Sequence, residues 1–195
     1  MTVNWISNID TLHTLLKSIS VLDGSGQPMN QDAGCLQWRE KAIEARKGGK
    51  TLFFAGNGAS ASLSSHFAAD LQKNCRIRTQ VFTDLSLITA YANDISYEEV
   101  FSGPLSLWMK KGDLLITISS SGESPNVVRA ARAARDMGGF VVTLSAMKEE
   151  NTLRRLGHLN FYVPAKTYGM AETVHAALLH YWTDGLLRDD LEFDV

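Results

Sequence analysis

The stretch that most constrains this chain is 50–70, KTLFFAGNGASASLSSHFAAD. Leu52, Phe53, Phe54 and Ala55 form a short continuous apolar run, the pattern of a strand buried on both faces of a parallel sheet. Gly56-Asn57-Gly58 breaks the run, and Ser60 stands where a helix N-cap is expected, with the helix continuing through Leu71. A strand that passes through glycines into a helix N-terminus offers backbone N–H groups and the positive end of a dipole to an anion. His66 and Asp70 then share one helical face at i,i+4, an imidazole and a carboxylate able to bind metal or move protons. The turn is neither a dinucleotide fingerprint nor a P-loop. It reads G-N-G-A-S-A without a strand-ending acid at the expected spacing, and no Gly-Lys-Ser/Thr follows.

Around this stretch, Trp5, Ile6, Ile9, Leu12, Leu15, Leu16 and Ile19 recur at threes and fours and predict an amphipathic helix over 5–22, closed by a loop at Asp23-Gly24-Ser25-Gly26. A second helix is predicted over Gln31 to Lys47, with Gly48-Gly49 as its stop. Residues 1–48 are read as a helical hairpin that packs in an oligomer and 50–195 as an α/β core, together one domain over 1–195. Further strands are expected over 79–82, 113–118, 140–144 and 159–163. Helices are expected over 84–91, with Asn93-Asp94 as an interruption, then 97–109 with a kink at Gly103-Pro104, 126–137, 151–156 and 170–187. Strands alternating with helices give a doubly wound parallel sheet whose sites lie at the carboxyl ends of the strands.

A second turn carries equal weight. The run Asp113 to Ile118 leads directly into Ser119-Ser120-Ser121-Gly122-Glu123-Ser124-Pro125, with Ser124 as N-cap and Pro125 as first helical residue. Hydroxyls and backbone amides gathered between a buried strand and a helix start suit a phosphate. On the closing helix Glu172 and His180 are eight residues apart and share a face, while His175 is rotated partly away. If that pair faces the earlier one, His66, Asp70, Glu172 and His180 form a four-ligand site for zinc or another divalent metal. Cys35 and Cys75 are too few and too isolated for a disulfide framework and lack metal-motif spacing. A net charge of −2 argues against a nucleic-acid or membrane-surface partner. No apolar run reaches membrane-spanning length and no leader is visible at Met1, so a cytoplasmic location is expected.

GNGASA with HFAAD, the ISSSGESPNVV turn and the terminal ETVHAALLH together resemble the sugar isomerase (SIS) domain family, and within it the phosphoheptose isomerases. The resemblance implies a five-stranded parallel sheet in a flavodoxin-like three-layer sandwich, and a homotetramer with active sites between subunits. It also implies phosphate and sugar contacts at Asn57, Gly58, Ser60, Asn93, Asp94, Ser119, Ser120, Ser121 and Ser124. The family's metal histidines match His66 and His180; Asp70 stands where it usually has Glu, and Glu172 where it usually has Gln. The implied chemistry is aldose–ketose isomerisation of sedoheptulose 7-phosphate through a metal-assisted enediol, with Asp70, Glu172 and His180 moving protons. The rival readings are a non-catalytic SIS adaptor that binds a protein such as the replication initiator, and an isomerase of another sugar phosphate.

Overall fold

A computed structural model describes residues 4–191; residues 1–3 and 192–195 of the expected domain lie outside them. Helix α1 (Trp5–Lys17) opens with the Asn4 side chain accepting the Ile6 N–H and stops well short of residue 22. The chain leaves the helix because Ser20–Asp23 is a strand, β1, pairing antiparallel with β2 (Pro28–Met29) on one side and with β7 (Leu159–Val163) on the other. Val21 is thereby buried against the sheet core, a placement that local helical spacing could not reveal. The expected hairpin of two helices is thus interrupted by a β-hairpin before α2 (Gln31–Lys47), which forms as predicted and is capped by Asn30.

The core then alternates strand and helix: β3 (Thr51–Gly56), α3 (Ala59–Cys75), β4 (Arg78–Val81), α4 (Leu85–Asp94), α5 (Ser102–Trp108), β5 (Leu114–Ser119), α6 (Pro125–Asp136), β6 (Phe140–Ala146), β7 and α7 (Tyr168–Leu191). The sheet has seven strands in the order β2-β1-β7-β6-β5-β3-β4. The parallel body from β3 to β7 is the expected one, and the antiparallel β1–β2 pair is added at one edge. From β3 the chain winds outward to β4 and then crosses back to β5 on the opposite side. The strand order therefore reverses between β3 and β5, which opens a crevice at their carboxyl ends.

Several local expectations shift for physical reasons. Gly58, at φ +55, turns the chain so that α3 begins at Ala59; Ser60 sits inside the first turn and does not cap. Asp84 caps α4 by accepting the Leu87 N–H, and that helix continues through Asn93 and Asp94 instead of breaking there. The predicted helix over 97–109 divides into a 3-10 turn, Tyr97–Glu99, and α5. Pro104 falls in the first turn of α5, where its missing N–H costs no bond and no kink results. The short helix expected over 151–156 is a single 3-10 turn, Leu153–Arg155.

Strand alternation distributes the core to two faces. Leu52, Phe54, Ile116 and Ile118 pack with α2, α3 and α7, where the Trp38 and Trp182 rings stack at 4.1 Å. Phe53, Ala55 and Leu115 pack with Val100, Phe101, Leu105 and Val127 on the other face. Asp113 is buried at the base of β5, its carboxylate accepting the N–H groups of Thr51 and Lys110 and so tying β3 to β5. His175 on α7 is fully buried, its Nε2–H directed at the Ser145 carbonyl at 3.3 Å.

Burial pushes the His175 imidazole down from 6.5 to about 4, only partly offset by the Ser145 contact. The folded chain holds this ring neutral while the unfolded chain protonates it near its ordinary value, so the contribution is complete above that value and is lost as pH falls towards the folded one. The loss between these limits is about 3 kcal/mol. Urea unfolding across this window is expected to show stability falling with pH in the native chain and a flatter profile in His175→Leu; parallel profiles would refute the assignment.

Candidate active site

The glycine turn after β3 and the serine turn after β5 meet because the two strands pair in parallel register, Gly56 opposite Ile118. Between them lies a cleft of about 270 Å³, bordered by seven of the nine residues expected to contact the sugar phosphate, Asn57, Gly58, Ser60, Ser119, Ser120, Ser121 and Ser124. The N-terminal ends of α3 and α6 both abut it, so two positive helix ends face one space. Tyr168 and Glu172, from the start of α7, close it on the far side.

Both turns are held by their own hydrogen bonds. The amide of Asn57 donates to Asn126 Oδ1 and that of Asn126 donates to Asn57 Oδ1, each at 2.9 Å, while the Tyr97 hydroxyl donates to Asn57 Oδ1 at 3.2 Å. Ser119 Oγ accepts the Gly122 N–H, and Ser121 Oγ accepts the Glu123 N–H. Glu123 points away to receive the hydroxyl and backbone N–H of Thr152, which lowers its carboxyl below the usual range. Asn126, Tyr97 and Tyr168 were not expected at the site. A single Asn after a helix-opening Pro reads as an ordinary surface residue, and neither tyrosine carries a motif.

The second cluster lies farther along the groove between α3 and α7. His66 Nε2 and Asp70 Oδ2 are 3.3 Å apart, and the His180 ring meets His66 edge-on with centroids 5.7 Å apart, with Phe67 packed against both imidazoles. Glu172 does not join them. Eight residues of α-helix rise about 12 Å, so sharing a face with His180 places Glu172 at the serine cleft instead. Among the described residues no group of three or more His, Cys, Asp or Glu side chains is set to hold a metal ion. The two imidazoles and the Asp70 carboxylate are nevertheless the donor types that a zinc-like cation takes. Asn93 and Asp94 are exposed at the end of α4, hydrogen-bonded to each other, and are not among the residues lining the cleft.

Comparison with known proteins places the chain in a family. The SIS domain model matches residues 31–146. The phosphoheptose isomerase of Aliarcobacter butzleri is 34% identical over 145 residues, covering 71% of this chain and 76% of that protein. That of Helicobacter hepaticus is 34% identical over 148 residues, covering 73% and 75%. The solved phosphoheptose isomerase of Neisseria gonorrhoeae superposes with a TM-score of 0.80 at 24% identity, over 93% of this chain and 94% of that one. The structure from Francisella tularensis gives 0.78 at 17% identity, over 96% and 100%. The chain is an enzyme of the sugar-phosphate isomerase class built on an SIS domain. Within that class it belongs to the SIS family alongside the phosphoheptose isomerases.

The serine turn depends on Gly122, whose φ is +66 and where an added Cβ would stand 2.1 Å from Asn151 Oδ1. Gly49 has a similar φ of +63 but open space around it. Gly122→Ala is expected to cost about 2–4 kcal/mol in urea unfolding, combining backbone strain with overpacking. Gly49→Ala should lose only the strain share, and equal losses would refute the close packing of turn on Asn151.

Proposed function

We propose that this chain interconverts sedoheptulose 7-phosphate and D-glycero-D-manno-heptose 7-phosphate. The observation that carries the reading is a distance. Along α3, Ser60 at the serine cleft and His66 at the imidazole cluster are six residues apart, about 9 Å of helix. An extended heptose 7-phosphate has eight bonds from C1 to phosphorus and spans about the same length at ~1.2 Å per bond. A phosphate held by Ser119, Ser121 and Ser124 then leaves the opposite end of the sugar beside His66 and His180, with Glu172 between.

In this arrangement the serine hydroxyls and the two helix N-termini bind the phosphate, and that binding energy orients the reacting end. The reaction takes a proton from C1 of the ketose, passes through the enediol, and returns a proton at C2. Asp70 or Glu172 is the carboxylate that carries it, and His180 serves the adjoining oxygens as acid and base. Asp70 is paired with His66, whereas Glu172 faces the cleft. A divalent metal, zinc by donor type, would be held by His66, Asp70 and His180, with Glu172 outside that set at the serine cleft, and would polarise the carbonyl and stabilise negative charge on the sugar oxygens.

We further propose a homotetramer with the sites completed between subunits, in the cytoplasm. The support is the outer face of α1, where Trp5 and Ile6 are 71% and 65% exposed and need cover. Among the described residues no helix is long and apolar enough to cross a membrane.

Purified protein incubated with sedoheptulose 7-phosphate, with and without zinc, is expected to yield the heptose 7-phosphate, and no product under either condition would reject the reading. His180→Ala should abolish turnover while sedimentation shows the same oligomer, and retained turnover would remove His180 from the site.

A further inference from the structure

The one fully buried imidazole among the described residues plays no part in the scheme above. His175 is 0% exposed, and its Nε2 meets the backbone carbonyl of Ser145 at 3.3 Å, while Nδ1 has no partner among the described residues. A helix face laid on a sheet is served at least as well by Leu or Val, which fill the space without burying an unpaired nitrogen. Packing alone therefore does not account for a histidine here, and the bond to Ser145 is what a hydrocarbon could not supply.

The position of that bond is informative. His175 follows Glu172 by three residues, so the two side chains occupy neighbouring turns of α7. Ser145 is the penultimate residue of β6 and pairs in register with Ser119, the first residue of the serine turn. The adjoining Ala146 N–H donates to the Ser120 carbonyl at 3.1 Å. Ser145 Oγ in turn accepts from Asn151, the side chain against which Gly122 packs. The path from the Glu172 carboxylate to the serine turn is thus one helical turn, one hydrogen bond and one strand pairing. Elsewhere near its N-terminal end α7 meets the core through apolar side chains such as Ala171 and Val174, whose packing is non-directional, whereas a hydrogen bond to one carbonyl specifies a single register.

We propose that His175 is a positioning residue, its Nε2–H bond to the Ser145 carbonyl fixing the register of α7 so that Glu172 stands at the correct place across the serine turn from the bound sugar phosphate. The proposal rests on the isomerase reading, which gives Glu172 its task. It assigns to α7 a directional anchor besides its apolar contacts, and it explains the Nδ1 left without a partner: only the opposite ring nitrogen is needed.

The test compares native chain, His175→Leu and His175→Gln as purified full-length proteins. The Gln amide keeps a donor near the position of Nε2, and Leu removes it. With sedoheptulose 7-phosphate as substrate, His175→Leu is expected to lower kcat about 10- to 100-fold, as displacement of a reacting group does, with KM within about threefold because the phosphate contacts are untouched. His175→Gln is expected to recover most of the lost kcat. Should the Leu variant not fold, His175→Asn, whose shorter amide stops short of the carbonyl, takes its place. Unchanged kcat in both variants, equal loss in both, or a loss confined to KM or to melting temperature overturns the proposal. If the native chain itself does not turn over this sugar, the substrate reading falls separately. The positioning claim is then decided by crystal structures of the same variants: Glu172 shifted from the serine turn in Leu and restored in Gln supports it, and Glu172 unmoved in both overturns it.

Discussion

The parallel pairing of β3 with β5 is the contact on which the remaining architecture depends. Each strand is short and buried on both faces, so neither has a stable existence outside the sheet. Once Leu52 to Gly56 are registered against Leu114 to Ile118, the glycine and serine turns must emerge at the same level and side by side. Asp113 pins the opposite end of the same pair through the Thr51 N–H. The reciprocal amide bonds of Asn57 and Asn126 then lock the two exits together. A slip of one residue would turn every core side chain of the strand to the opposite face. The cleft geometry is therefore protected by the same forces that protect the core.

The helices add a second dimension. α3 and α7 run side by side in the same direction, Ser60 level with Glu172 and His66 level with His180. The strand ends supply polar turns suited to the anion, and the helix groove supplies imidazoles and carboxylates for the reacting end. Division of labour between the two surfaces allows one small domain to grip a charged group tightly while working on an uncharged carbon some distance away.

The elements most legible in the sequence were those whose residues have no alternative. Leu52 to Ala55 is apolar without interruption, Asp113 to Ile118 and Leu159 to Val163 are apolar but for Asp113, Thr117 and Asn160, and all three form buried strands within a residue or so of expectation. Ser124 and Pro125 likewise announced the start of α6. The strand Ser20–Asp23 was hidden because Ile19 and Leu22 extend the helical spacing of α1; its identity is decided by Phe161 and its neighbours, far along the chain. The serine cleft was readable because hydroxyl, glycine and proline chemistry is local. The meeting of His66 with His180 was also anticipated, but periodicity reports angle around a helix and not height along it, so Glu172 was grouped with His180 when its rise carries it to the cleft. Asn126 escaped notice since its partner, Asn57, lies on a different turn.

The added hairpin has a bearing on how copies of this chain can associate. Without it, β7 would end the sheet with a row of open backbone donors and acceptors, an invitation to any passing extended segment. β1 occupies that row, and β2 beyond it is only two residues long and begins with Pro28, which has no N–H to give. Strand-to-strand growth is thereby opposed on this flank, and contacts made there between copies must rely on side chains and not on backbone pairing.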